Sequence, residues 1–161
     1  MYKIIAAISF LAITSATMTG CNDKEGSKGS AAAAKTTYYP SDKCTIDTIG
    51  GKTDTSVYVP RSIVQFNGWA IDTVNQSSPK ELKLRLNGYK GNPATFKEYT
   101  VIDRPDVAKA FNNQKLLKAG FSFNADLSSL EPGGYGVSIE IPGENSSLLC
   151  QSKTLLVIEY P

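Results

Sequence analysis

The residues best suited to chemistry in this chain are three cysteines, Cys21, Cys44 and Cys150, and none of the 161 residues is a histidine. Without histidine there is no Ser-His-Asp or Cys-His catalysis, no imidazole metal ligand and no ordinary pH switch near neutrality. The acids form no recognisable catalytic pair, and Asp72 and Asp103 are the only candidates. Serine and threonine are plentiful, yet none stands in a G-x-S-x-G or S-x-x-K setting with partners. "GYKGNP", 88 to 93, reads as a hairpin turn rather than a phosphate cradle. No CxxC occurs, so a metal or dithiol-redox site lacks its further soft ligands. The expectation is a protein with no catalytic residue, no metal and no cofactor. The 17 basic and 15 acidic residues nearly cancel, which gives no reason to expect nucleic acid as a partner.

The setting of Cys21 separates it from the other two. Met1-Tyr2-Lys3 is a short basic start, and "IIAAISFLAI", 4 to 13, is an apolar run interrupted only by Ser9. A spanning helix needs roughly twenty apolar residues, so this is the anatomy of a secretory signal peptide. Met18-Thr19-Gly20-Cys21 resembles the lipobox of bacterial lipoproteins, with Met18 where leucine is usual. The resemblance implies cleavage between Gly20 and Cys21, acyl chains on Cys21 and attachment to a membrane. It also implies sorting: aspartate directly after the cysteine is the usual signal for inner-membrane retention. Here Asn22 stands there, with Asp23 next, so the outer membrane is favoured, on its periplasmic or surface face. The alternative is a plain secreted chain in which Cys21 is a spare thiol.

An odd cysteine count in an exported chain gives one thiol a separate fate. If Cys21 carries lipid, Cys44 and Cys150 remain, and an oxidising compartment makes a disulfide between them the default. A redox or metal pair is the weaker alternative.

Chain organisation follows. Residues 1 to 20 are the signal peptide. Residues 21 to 43 are the lipidated start and a tether of Gly, Ser, Ala and Lys, in which Tyr38, Tyr39 and Pro40 already approach the domain. That tether spans roughly 25 Å if flexible and about 70 Å at full stretch. Residues 44 to 161 form one β domain. "CTIDTIG", "SIVQFNGWAID", "ELKLRLNG", "TFKEYTVID", "FSFNADL", "GYGVSIEI" and "SLLCQSKTLLVIEY" read as strands separated by turn signals. About seven strands at this spacing favour an all-β fold, an antiparallel β-sandwich. One short helix interrupts them at 103 to 113. Asp103 is its expected N-cap, Pro105 lies in its first turn, and Asp106 completes a box-like pattern. Val107, Ala110 and Phe111 share its apolar face. A charged functional site at Asp103, Arg104 and Asp106 is the other reading of the same residues.

"GWAID" at 68 to 72, "DRPDVAKAF" at 103 to 111 and "AGFSFNADLSSLEPGGYGVSIEI" at 119 to 141 resemble, in that order, a bacterial immunoglobulin-like sandwich module. The resemblance covers roughly 65 to 150 and implies fold more than function. Trp69, the one tryptophan, reads as core, with packing on the disulfide expected by analogy with immunoglobulin domains; a sugar platform is the alternative. Trp69, Leu82, Leu84, Leu86, Phe121, Phe123, Val137 and Ile139 are the expected core. Tyr58 and Tyr89, read as turn aromatics, are the candidate ligand contacts. The functional expectation is an envelope-anchored accessory lipoprotein that binds a protein or glycan. The alternative is a structural lipoprotein subunit of a cell-envelope or secretion assembly.

Overall fold

Strict alternation of leucine with charge at 82 to 86 becomes strand β5 (Lys83–Asn87) in the computed structural model, which describes residues 36–160. The remaining strands are β1 (Thr37–Pro40), β2 (Cys44–Ile49), β3 (Ser56–Val59), β4 (Ile63–Ala70), β6 (Ala94–Phe96), β7 (Tyr99–Ile102), β8 (Gly120–Asp126), β9 (Gly133–Pro142) and β10 (Ser146–Ile158). One sheet has the order β2-β4-β8-β7. The other runs β1-β10-β9-β5-β6, with β3 also paired to β10. With β2 as strand A, these are the A-B-E-D and G-F-C layers of an immunoglobulin-like sandwich, with β6 as an added strand beside C. β1 and β3 run parallel to successive halves of β10.

The inner faces meet in one core. Phe66, Leu84, Leu86, Phe123, Ala125, Val137, Ile139 and Leu156 are fully buried there, and Leu82 and Phe121 nearly so. Burying such side chains contributes about 1.5–3 kcal/mol each and is what closes the two layers on each other. Cys44 and Cys150 form a disulfide between β2 and β10, with Cα atoms 6.2 Å apart. It links the first strand of one sheet to the last of the other, and not the B and F strands.

Five local expectations are corrected. Among the described residues the strands number ten, because β1 and β3 are too short, at four residues each, to be read from sequence and because "TFKEYTVID" divides into β6, on β5, and β7, on β8. Its alternation runs through Lys97-Glu98 without a turn residue, so the change of sheet has no local signal. β1 lies inside the expected tether and pairs with β10. The helix is only α1 (Pro105–Ala110), preceded by Arg104 with no side-chain cap, and a single 3-10 turn follows at Gln114–Leu116. Asp103 is not the cap because the helix begins at Pro105, which puts Arg104 in the cap position; the Asp103 carboxylate pairs instead with Lys118 at 2.6 Å. Val107 and Ala108 are its buried residues, while Ala110 is exposed.

Trp69 is half-buried and outside the main core. Partners across an antiparallel pair share a face. Cys44 pairs with Ala70, so Trp69, one residue earlier, points to the opposite side from the disulfide. It packs with Ile71, Val107, Ala108, Leu116 and Ala119 in a second, smaller cluster, its ring centroid 5.9 Å from that of Phe111.

Candidate functional site

The resembling motifs turn out to be devices of folding. At Gly68 a Cβ would strike the Thr45 carbonyl and come within 2.7 Å of the Phe121 ring, so only glycine lets β2, β4 and β8 close together. At Gly120 it would lie 2.6 Å from the Ile102 carbonyl oxygen and 2.7 Å from Arg104 Cγ. Arg104 donates to Asp106 through Nε (2.9 Å) and Nη2 (2.7 Å), and to Asp47 on β2 through Nη1 (2.6 Å). Those hydrogen bonds from Arg104 hold the Asp106 carboxyl down to about 2. The charged trio therefore ties the helix to the sheet through Arg104, while Asp103 points to Lys118. Tyr135 Oη donates to the Glu131 carbonyl (2.7 Å), a tyrosine-corner contact.

A second charged group lies on the outer face of the larger sheet. Glu140 is almost fully buried and accepts from Arg85 Nη1 (2.8 Å), Lys83 Nζ (3.4 Å) and Ser147 Oγ (3.0 Å). Burial works against its charge, but the hydrogen bonds from Arg85 and Ser147 and the two nearby cations prevail, and its pKa lies below the usual carboxylate range. Arg85 also lies 4.7 Å from the centroid of the Tyr38 ring, which pins β1 to the sheet.

The polar groups available to a ligand gather instead at one pole of the sandwich. There the β4–β5 connection (71–82), the β9–β10 turn (143–145) and Tyr39 of β1 surround a groove of about 750 Å³. Its lining includes Tyr39, Asn75, Lys80, Glu144, Asn145 and Leu148. A groove of this size is within the range of small-ligand sites. The walls are braced. Asp72 exchanges backbone hydrogen bonds with Ser77 (3.0 and 3.2 Å), and its carboxylate accepts from Val74 N, Asn75 N and Asn75 Nδ2. Gly143 N donates to the Ser146 carbonyl at 2.8 Å, closing the other wall. Among the described residues, the side chains of Tyr39, Lys80, Glu144 and Asn145 have no hydrogen-bond or ion-pair partner. Together they bring a hydroxyl, an ammonium, a carboxylate and an amide to the lining of one groove.

Two smaller grooves adjoin on the same pole, between the β4–β5 connection and α1. They are lined in part by Ile71, Val74, Gln76, Phe111 and Asn113. Gln76 (φ 48°) and Asn112 (φ 46°), the non-glycine residues at positive φ among those described, both lie here. Backbone strain of this kind costs of order 1–3 kcal/mol and collects at functional sites.

The structure separates the sites expected from sequence. Tyr58 lies on β3, not in a turn, pairs with Val157 near the end of β10 and is half-exposed. Tyr89 is almost wholly exposed in the β5–β6 turn. Both are towards the pole opposite the large groove, and neither lines it. Asp72 and Asp103 are engaged separately, one in a turn and one with Lys118. Gly20 and Cys21 lie outside the described residues. The groove residues carry no sequence signal of their own: Asn75, Lys80, Glu144 and Asn145 are ordinary loop residues, and Tyr39 reads only as approaching the domain. The Ser/Pro and Pro/Gly residues of "SSPK", 77 to 80, and "PGEN", 142 to 145, are the turn signals that could have marked the loops, but their juxtaposition is a product of topology. Comparison of the chain with family models, with curated proteins and with solved structures gives no match.

Proposed function

We propose that this is a lipid-anchored protein of the bacterial envelope, favouring the outer membrane, whose sandwich is a non-catalytic binding module for a protein or glycan. The signal-peptide pattern and "MTGC" support the anchor. One observation carries the binding role: a braced groove lined by four polar residues, Tyr39, Lys80, Glu144 and Asn145, whose side chains have no hydrogen-bond or ion-pair partner among the described residues. The hydrogen bonds that brace the 72–77 and 143–146 loops lower the backbone ordering cost of recognition. Metabolic labelling with an alkyne fatty acid tests the anchor: wild type takes up label and Cys21→Ser does not. Capture from detergent-solubilised envelopes tests the module: wild type retains a partner that Lys80→Ala/Glu144→Ala loses.

A structural-subunit role is the second reading. The edge strand β7 supports it, because Val101 and Ile102 are exposed beside an unpaired strand edge. Recovery of a stoichiometric complex that survives the groove substitutions and is lost on Val101→Lys would favour that reading.

A further inference from the structure

We infer that the groove faces the membrane to which the chain is tethered, and that its ligand is the saccharide headgroup of a lipid in that membrane. The inference rests on the anchored binding module proposed above. The placement comes from strand direction. β1 runs parallel to β10 and begins at Thr37, opposite Ser146, immediately beside the β9–β10 turn that forms one wall of the groove. The chain leading back to Cys21 therefore leaves the domain at the groove's own pole. Only the 15 residues 22 to 36 separate Cys21 from Thr37. At full stretch they span about 50 Å, and roughly 20 Å as a flexible coil. With its pole held that close to the bilayer, the groove opens towards the surface and away from the envelope beyond.

The chemistry of the groove selects the headgroup. Lys80 and Glu144 oppose each other in charge, so a phosphate-only anion gains from one and is repelled by the other. Tyr39 is half-exposed and offers a ring face with a hydroxyl at its tip. Asn145 offers both donors and acceptors, and Asn75 lines the same wall. A polyhydroxylated, uncharged ring bears donors and acceptors on its rim and C–H groups on its faces, and each of these has a counterpart here.

The experiment uses the full acylated protein in vesicles of total lipid from the producing cells. A fluorophore is placed at Val74→Cys, on the groove pole, or at Tyr89→Cys, on the far pole. Nitroxide-headgroup lipid should quench the first several-fold more than the second. In parallel, neutral oligosaccharide released from the same lipids is titrated against wild type and Lys80→Ala/Glu144→Ala, with melting temperatures as the folding control. Wild type should bind, the variant at least tenfold more weakly, and intact lipid in vesicles should compete better than the released saccharide. Equal or reversed quenching overturns the orientation. Absence of saccharide binding, or preference for the released form, overturns the ligand. If either fails while the groove variant still loses a captured protein partner, the inference falls and the binding module stands. If the variant loses nothing in any assay, the module itself falls.

Discussion

Replacing Cys44 and Cys150 together by alanine removes a covalent link across a sequence separation of 106 residues. In the chain-entropy treatment, closing a loop of that length lowers the entropy of the unfolded chain enough to stabilise the fold by about 5 kcal/mol. Single domains are stable by only about 5–15 kcal/mol, so the loss is a large share of the total. For a domain of this size it should lower Tm by roughly 15–20 °C. The bond ties strand A to strand G, so nearly the whole domain lies within the loop it closes. The denatured state of the oxidised protein is therefore held compact, and freeing it should expose more surface. Urea unfolding of the two proteins should give a lower midpoint for the variant together with a larger m-value. A loss under about 1 kcal/mol with no change in m would refute the loop argument. Alkylation of both thiols in exported wild type without reductant would refute the bond itself.

The other predictions concern packing and charge. Phe123→Ala, at a fully buried position, should cost about 3–5 kcal/mol, and Trp69→Ala distinctly less because Trp69 is half-buried outside the main core; chemical denaturation ranks them. Gly68→Ala should cost about 1–3 kcal/mol by forcing β2 away from β4, seen as lost amide protection along that pair. Glu140 has a folded pKa below its unfolded value, so its contribution is present above about pH 4.5 and is lost as pH falls through the folded value. Glu140→Gln should lower stability at neutral pH by about 2 kcal/mol and flatten the acid limb of the stability profile; an unchanged acid limb would count against the Glu140 network.

Much of the sandwich was legible because its strands alternate cleanly. Leu82, Leu84 and Leu86, and likewise Phe121, Phe123, Ala125 and Leu127, face inward as their period of two requires. The glycines and the arginine of the resembling motifs were visible as a pattern, but their reasons were not: a collision at Gly68 and a link from Arg104 to Asp47 are contacts across strands distant in sequence. Trp69 was misplaced because alternation tells which residues share a face and not which face meets the core. β1 and β3 escaped notice because four residues are too few to show a period, and both owe their existence to pairing with β10. The candidate site was the least legible part. Tyr39, Lys80 and Glu144 belong to three separate segments that only the topology brings together.

Site-specific photo-crosslinking tests most directly whether a partner is held at the groove pole. A photoreactive phenylalanine analogue is placed at Tyr39, Asn75 or Asn145 on one pole, and at Tyr58 or Tyr89 towards the other, in the acylated protein in intact envelopes. Crosslinks to one common species from all three groove positions and none from Tyr58 or Tyr89 are predicted. Crosslinking confined to Tyr58 and Tyr89, with the groove positions silent, would contradict the assignment.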